Sequence, residues 1–391
     1  MPPAVDLTGS ARGTLRFARR RALRIVAVIL LAALVVVGYS YARALSAPGT
    51  DSLGAKSVEW VRAHGGASLV AWVERTWYSH HAPPARGVPS PSDLPLLAAP
   101  PAGYYHYSPT ALPTPADLAP VIATAMAGEG RWVPVGRPVD GAAAAYATFL
   151  RPDPAHTGVV TGVAWMDTNL LRAELFPGYQ VPGGHGWNPS PPLTAADGSL
   201  VAAFNSGFRL QDAVGSGYYS MGRTVAPIVT GYASLVIYSN GKVNIGKWGS
   251  EITDTPDIVS IRQNLNVIVD HGQPVPGLND NKFQRWGATL GNDLYVWRSG
   301  IGVTADGALV YVGGPDLSIA TLANALTRSG AVRAMELDIN TDWVAYFYFK
   351  PPSSGPAAPS NATKLLPNMV SSTKRYFEPS SRDFIAMFAA Y

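Results

Sequence analysis

The sequence contains no cysteine, and only 14% of its residues are charged. Without cysteine no disulfide can stabilise the fold and no thiolate can bind a metal, so stability has to come from a hydrophobic core. Hydrophobic residues make up 47% of the 391 residues, which is enough for a substantial core. The composition therefore indicates a globular protein with appendages.

A basic surface for nucleic acid is also lacking. The formal net charge is +4, and six arginines lie ahead of the first long apolar run: Arg12, Arg16, Arg19, Arg20, Arg21 and Arg24. With these set aside, the rest of the chain is close to neutral. The sequence therefore predicts no nucleic-acid partner.

The apolar run that follows these arginines extends from Ile25 to Leu45. As a helix it reaches roughly 30 Å, enough to cross the hydrocarbon core of a bilayer. The positive-inside rule then predicts a cytoplasmic tail over 1–24, a single-pass transmembrane anchor over 25–45 and an extracytoplasmic remainder. A cleaved signal peptide would show the same pattern, with small residues at 44–47 for the peptidase, and would give a secreted domain. Both alternatives export the main domain.

Residues 46–127 are predicted to form an extracytoplasmic spacer rich in proline and alanine. Proline recurs from Pro83 to Pro120, which favours extended, semi-rigid chain. Ahead of it, apolar residues recur at helical spacing from Ser57 to Tyr78, which predicts an amphipathic helix. That helix would lie either on the bilayer or on the domain, and the sequence leaves both open.

Residues 128–391 have the pattern of one mixed α/β domain. Short β-rich runs alternate with turn residues, and Asn240-Gly241 is a strong hairpin signal. A second turn is predicted at Asp306-Gly307. Leu317 to Arg328 has helical periodicity and is followed by Ser329-Gly330, after which Ala331 to Leu337 reads as a buried strand. A helix between strands places the end of the second strand where open α/β sheets often hold their sites.

The clearest candidate for chemistry is that strand end, where Glu336 and Asp338 stand two residues apart. Alternate residues of a strand face the same side, and acidic groups at the end of an apolar strand are costly unless they are used. The pair could act as a general acid and a base, or bind a cation. In the alternative, one carboxylate caps a turn and the other pairs with an arginine.

Two more polar side chains accompany glycine-containing turns. Asn205, in Asn-Ser-Gly-Phe, could hydrogen-bond a sugar hydroxyl or a phosphate oxygen, or it could stabilise a tight turn. Arg298 precedes Ser-Gly-Ile-Gly, where backbone can approach a ligand and the guanidinium group can bind an anion. A structural salt bridge is the alternative for Arg298.

Metal ligands are sparse in this sequence. His185 lies on a glycine-rich loop beside Trp187, and it could close over a site or remain a surface residue. No histidine spacing typical of zinc is present. Asp338, Asn340 and Asp342 could bind calcium, although a full calcium loop is lacking. We therefore expect no certain cofactor, and a divalent cation such as calcium remains open.

The order and spacing of these passages resemble the phosphodiester glycosidase family, over roughly Val159 to the C-terminus. The family pattern is a strand ending in Asn-Gly-Gly-Phe, a hairpin, an arginine-led Ala-Ile-Gly-like run leading to Asp-Gly, a helix, Gly-Ala, and Leu-Asp-Gly-Gly-Gly-Ser. The matching passages here are Asn205 to Phe208, Arg298 to Gly302, Asp306-Gly307, Gly330-Ala331 and Leu337-Asp338. The resemblance carries over Asn205, Arg298, Asp306 and Asp338.

Two departures from the family pattern stand next to these residues. Ser206 replaces a glycine, and Ile339-Asn340-Thr341 replaces the glycine run after the aspartate. Glycines there would let backbone amides face a phosphate, whereas isoleucine and threonine add bulk and restrict the turn.

By resemblance, the fold is α+β or mixed α/β, with one phosphodiester-glycosidase-like domain built on a mixed sheet after one transmembrane helix. The implied function is that of a hydrolase, a glycosidase acting on a cell-envelope glycan or a sugar phosphodiester. Under this hypothesis Glu336 and Asp338 are catalytic, and Asn205, Arg298 and Asp306 bind the substrate. Asn340 and His185 are further candidates for substrate binding that have no match in the family pattern. The alternative is a non-catalytic glycan-binding or envelope-assembly protein of the same fold.

Overall fold

A computed structural model describes residues 8–80, 83–183, 187–213, 215–280, 285–287, 295–350 and 355–390. The chain divides into two compact units, one formed by Met1–Ala47 with Ser52–Ala67 and the other by Pro48–Asp51 with Ser68–Tyr391. The first unit holds two helices, α1 (Thr8–Leu45) and α2 (Leu53–Val61). A third helix, α3 (Ala67–His80), belongs to the second unit from Ser68 onward.

One helix of the described residues is long and apolar enough to cross a membrane. It is the Arg20–Leu45 part of α1, with a mean hydropathy of 2.6 and none of its most apolar window buried. The single amphipathic helix predicted from Ser57 to Tyr78 is instead divided between α2 and α3. The break is a five-residue π-helical turn, Arg62–Gly66, in which Gly65 has φ 87°. Such a φ suits glycine and interrupts regular helix.

The described part of the second unit is built mainly from short strands and one further helix, α4 (Ile319–Arg328). The strands, in chain order, are β1 (Val133–Val139), β2 (Ala142–Leu150), β3 (Thr161–Met166), β4 (Leu171–Phe176), β5 (Leu200–Asn205), β6 (Tyr218–Ser220), β7 (Arg223–Ala226), β8 (Ala233–Tyr238), β9 (Val243–Lys247), β10 (Ile258–Gln263), β11 (Val267–Asp270), β12 (Gln273–Pro274), β13 (Val296–Thr304), β14 (Leu309–Leu317), β15 (Ala331–Ile339), β16 (Tyr346–Phe349), β17 (Ala362–Lys364) and β18 (Phe384–Ala389). Pro91–Asp93 and Pro359–Asn361 form short 3₁₀ turns.

These strands form three sheets. The first has eight strands in the order β1-β2-β3-β14-β13-β15-β11-β12, the second has the order β7-β6-β10-β8-β9, and the third has the order β17-β16-β5-β18-β4. The main core lies among the three sheets, and a second core lies between the other face of the first sheet and α4. The first sheet is therefore buried on both faces, which explains the nearly continuous apolar runs of its central strands.

The fold class is the expected α+β, but the sheets differ from the expected mixed sheet because all strand pairings described within them are antiparallel. Tight turns join many neighbours, and both predicted hairpins are confirmed, at Asn240-Gly241 between β8 and β9 and at Asp306-Gly307 between β13 and β14. The crossover from β14 through α4 to β15 connects strands of the same direction. Because β13 lies between them, the crossover creates no parallel pair.

The proline-rich segment belongs to the second unit and contacts its sheets and loops at several points. The Leu112 amide donates to the Asp167 carboxylate at 2.7 Å, and the Leu118 amide donates to the Gly130 carbonyl at 2.8 Å. Leu94 and Leu97 pack against the main core. This segment therefore covers the sheets, while its predicted end near residue 127 stays a prediction.

Helix α4 packs on the face of the first sheet that is opposite the main core. Ser318 caps its N-terminus by accepting a hydrogen bond from the Thr321 amide at 3.1 Å. Its buried face includes Leu322 and Leu326, and it lies so close to β13 that a Cβ on Gly300 would be 2.9 Å from Leu326. Glycine at this position therefore permits the close approach of helix and sheet.

Truncating Leu322 to alanine should destabilise the second unit by about 2–5 kcal/mol, since the buried side chain would leave a cavity. Asn324→Ala, on the exposed side of the same helix, is the matched control and should change stability by less than about 0.5 kcal/mol. Urea unfolding of the full chain in detergent measures both. Equal midpoints for the two variants would show that α4 is not packed on the sheet.

Candidate active site

The ends of strands from two sheets bring the predicted residues together. In the first sheet, Arg298 on β13 is opposite Ile339 on β15, and Gly300 is opposite Glu336. Asn205 is the last residue of β5 in the third sheet. The Asp338 amide donates to the Ser206 carbonyl at 2.8 Å, and this bond joins the end of β15 to the end of β5.

Arg298 and Glu336 form a buried ion pair. The distance from Arg298 Nη1 to Glu336 Oε1 is 2.7 Å, and the side chains are 1% and 2% exposed. Arg298 Nε also donates to the Leu317 carbonyl at 2.8 Å, which orients the guanidinium group. The other carboxylate oxygen, Glu336 Oε2, is buried and has no hydrogen-bond partner among the described residues. A buried polar atom of this kind is costly unless a proton or a ligand satisfies it.

Burial raises the pKa of Glu336 to about 7, because removing the carboxylate from water disfavours its charged form. The guanidinium group of Arg298 acts in the opposite direction and lowers the pKa, whereas the nearby charge of Asp338 raises it further. Glu336 therefore gains and loses its proton near neutral pH.

Asp338 lies beside this pair in a different environment. Its Oδ1 accepts a hydrogen bond from the Ile339 amide at 3.0 Å, and its Oδ2 is 3.7 Å from Arg382 Nη1. Arg382 in turn stacks on Trp343, with its guanidinium carbon 4.2 Å from the ring centroid. A cationic side chain thus faces each carboxylate of the Glu336 and Asp338 pair.

Asn205 positions the strand ends around these charges. Its Nδ2 donates to Ser299 Oγ at 2.9 Å and to the Ser206 carbonyl at 3.1 Å. Its Oδ1 accepts from the Tyr311 hydroxyl at 2.9 Å and from the Ala345 amide at 3.1 Å. An amide side chain offers two donors and two acceptor lone pairs, so all four are used within the protein. The substrate contact predicted for Asn205 would require breaking one of these bonds.

The Asn-Ser-Gly-Phe turn contains two tightly packed residues, Ser206 and Gly207. A Cβ on Gly207 would be 3.1 Å from the guanidinium carbon of Arg262 and 3.2 Å from Asn264 Cγ, so a larger residue would require these side chains to shift. Ser206, the departure from the family pattern, fits with 1% exposure. Its Oγ is buried without a hydrogen-bond partner among the described residues. The hydroxyl is therefore a second unsatisfied polar atom beside the carboxylates.

The other predicted site residues lie elsewhere or outside the described residues. Asp306 is exposed in the β13–β14 turn, and at about 3.3 Å per residue of strand it is roughly 20 Å or more from Arg298. Asn340 directly follows β15 with φ 85°, and its amide donates to the Trp297 carbonyl at 2.8 Å, so it turns the chain at the edge of the site. His185 lies outside the described residues.

Acidic and histidine side chains close enough to share a cation occur at Glu251, Asp270 and His271 within the described residues. Lys247 Nζ already bonds Asp270 there, so a lysine occupies the place that a cation would take. The calcium site considered at Asp338, Asn340 and Asp342 stays a prediction.

Sequence reasoning missed a second buried ion pair next to the site. Arg262 Nε donates to Asp383 Oδ2 at 2.7 Å, and both side chains are fully buried. Asn264, two residues further along the chain, donates to the Glu336 carbonyl at 2.7 Å. Arg382 also escaped notice. The sequence does contain a signal for the ion pair, because a charged residue within or directly next to an apolar strand is unusual. Arg262 lies within β10, and Asp383 directly precedes β18.

Comparisons with known proteins bear on this part of the chain. A family profile described as phosphodiester glycosidase matches residues 198–338. The comparison with curated proteins gives no match.

Several solved structures match this chain over part of its length. The zebrafish N-acetylglucosamine-1-phosphodiester alpha-N-acetylglucosaminidase catalytic domain, auto-inhibited by its pro-peptide, is 15% identical with a TM-score of 0.43, over 63% of this chain and 84% of that chain. A hypothetical protein from Synechocystis is 12% identical, with a TM-score of 0.36 over 66% and 64% of the two chains. A protein from Burkholderia pseudomallei described as exported is 14% identical, with a TM-score of 0.35 over 61% and 75%.

The similarity to this family rests on the matched segment. That segment includes Asn205, Arg298 and both carboxylates, which the fold brings together. Residues 198–338 of this chain are therefore similar to the phosphodiester glycosidase family.

Proposed function

We propose that this protein is a membrane-anchored, extracytoplasmic glycosidase that hydrolyses a cell-envelope glycan or a sugar phosphodiester with Glu336 and Asp338. The observation that carries the proposal is the pair of unlike carboxylates. Glu336 has a buried, unsatisfied oxygen and a pKa of about 7, whereas Asp338 accepts a backbone hydrogen bond and faces Arg382. Two carboxylates in different environments suit an acid and a base or nucleophile.

In this mechanism protonated Glu336 donates its proton from Oε2 to the oxygen of the leaving group as the glycosidic bond breaks. Asp338 either removes a proton from the attacking water or attacks the anomeric carbon itself, and then water releases the sugar. Both stereochemical outcomes remain open. Arg298 holds Oε1 of Glu336, which leaves Oε2 directed at the substrate, and Arg382 offers charge for an anionic group.

The extracytoplasmic location is supported by the N-terminal helix. Its apolar Arg20–Leu45 part suits either a signal anchor or a signal peptide. The cluster of arginines in and before its first turns favours insertion with the N-terminus in the cytoplasm. The second unit follows this helix and would be exported in both cases.

A surface groove favours the second candidate function, a glycan-binding protein without catalysis. The groove has a volume of about 660 Å³, and its lining includes Tyr219, Trp248 and Asp254 on the second sheet and its loops. Aromatic faces pack against sugar rings while a carboxylate accepts hydrogen bonds from hydroxyls. In this alternative the carboxylates at Glu336 and Asp338 would serve the fold alone.

Hydrolysis of envelope glycans and sugar phosphodiesters by the full chain in detergent distinguishes the two candidates. Glu336→Gln and Asp338→Asn should each lower the rate by roughly 10²–10⁴-fold, the size expected for losing a general acid or base. Glu174→Gln, which changes an exposed carboxyl to an amide in the same unit, should leave the rate within about twofold.

A rate unchanged in both site variants would disprove the assignment of the carboxylates. The second candidate function would be established instead if the intact chain binds glycans without hydrolysing them and if Trp248→Ala abolishes that binding.

The rate should fall as the pH rises through about 7, because Glu336 must carry a proton to act as the acid and loses it there. Arg298→Met removes the positive charge that lowers the pKa of Glu336, so the fall should move to higher pH. Arg172→Gln, at an exposed arginine, is the control and should leave the profile in place. Rates measured from pH 5 to pH 9 test this, and an identical profile for Arg298→Met would assign the titrating group elsewhere.

A further inference from the structure

Helix α3 presents an apolar face to solvent. Its four large side chains, Leu69, Trp72, Val73 and Trp77, are 58%, 62%, 50% and 60% exposed. Their spacing of three or four residues places them on one side of the helix. We call these four residues the exposed face of α3.

The flank of α3 that adjoins this face is packed. Val70 is buried, and Ala71 and Glu74 are half-buried. One flank of the helix is therefore packed, and the exposed face of α3 is a second surface that is open to solvent. Contiguous apolar surface with two tryptophans mostly marks a place where a protein or a membrane binds.

The chain before α3 returns to the outer end of the candidate membrane span. Within the first unit, Trp60 of α2 lies 5.1 Å from the ring of Tyr41 and donates to Ser40 Oγ at 3.0 Å. Tyr41 also shares a hydrogen bond of 2.8 Å with Ser57. Ser40 and Tyr41 belong to the last turns of the Arg20–Leu45 span, so α2 lies at the level where the span would leave the bilayer. Tryptophan and tyrosine are the side chains that favour this interface.

We propose that the exposed face of α3 lies in the headgroup boundary of the bilayer that α1 enters. This rests on the membrane anchoring of the proposed function and adds a second membrane contact to it. The bilayer is the favoured occupant because α3 begins soon after the span and because the two aromatic residues of its exposed face, Trp72 and Trp77, are both tryptophan. The only charged side chains in α3 are Glu74 and Arg75, which cancel, so binding depends on apolar burial and requires no anionic lipid.

A second membrane contact would hold the catalytic domain close to the lipid surface. A domain tethered by a flexible linker samples all distances that the linker allows, whereas an interfacial helix fixes one. The substrate would then be the membrane-proximal part of an envelope glycan, including lipid-linked sugars.

The absence of cysteine makes a direct test possible, since a single introduced cysteine can be labelled uniquely with a polarity-sensitive fluorophore. The full chain is reconstituted in phosphatidylcholine vesicles as Trp72→Cys, Leu69→Cys or Arg75→Cys, where Arg75 is the control because it is exposed but lies outside the exposed face of α3. Labels at the first two positions should be quenched several-fold more by nitroxide lipids than the control and several-fold less by aqueous iodide. Each variant should unfold at the midpoint of the unlabelled chain.

Equal iodide quenching at all three positions would overturn the proposal. Shielding from iodide without quenching by lipid would also overturn it and would indicate a second copy or another protein on this face. Release of the full chain from vesicles by alkaline carbonate would disprove the anchoring itself. Hydrolysis of a soluble substrate, measured in the same samples, reports on the catalytic proposal independently.

Discussion

The burial of Arg298 beside Glu336 is the constraint on which the site depends. Removing two charges from water costs several kcal/mol for each, and close contact with further hydrogen bonds has to offset that cost. Here the 2.7 Å contact and the bond from Arg298 to the Leu317 carbonyl provide part of the compensation. Both depend on the register of β13 with β14 and β15, so the sheet and the charges stabilise the same arrangement.

The remaining polar groups extend this arrangement across the three sheets. Asn205 joins the end of β5 to β13 and β14, and the Arg262–Asp383 pair joins β10 to the start of β18. Removing one partner of such a pair leaves an uncompensated buried charge, which typically costs about 3–5 kcal/mol. In this chain without cysteine, buried polar side chains that bond to one another therefore join the ends of strands from all three sheets. Glu336 Oε2, Ser206 Oγ and Asp383 Oδ1 are among the buried atoms there that have no hydrogen-bond partner in the described residues. Under the proposed function, Glu336 Oε2 is the one that faces the substrate.

Local signals in the sequence predicted local structure well. Asn240-Gly241 and Asp306-Gly307 form the hairpins that they predict, and the apolar period ending at Ser329-Gly330 forms α4, which begins two residues later than expected, at Ile319. The two acidic residues on β15 were found because charges are rare at the end of an apolar strand. The antiparallel arrangement of the sheets and the partners of Arg262 and Asp338 depend on contacts between distant segments, which periodicity does not encode. Asp306 shows the limit of motif matching. Its turn follows Arg298 closely in the sequence motif, but the extended strand β13 separates the two residues in space.

The protonation of Glu336 in the full chain tests the central claim most directly. Infrared difference spectra between pH 5 and pH 9, compared with those of Glu336→Gln, isolate the carbonyl stretch of this one carboxylic acid. The buried site predicts a band that disappears with a midpoint at about 7 and is absent from the variant. Loss of the proton near the ordinary value of 4.5 would contradict it, because Glu336 would then be ionised at neutral pH and unable to donate a proton to the leaving group.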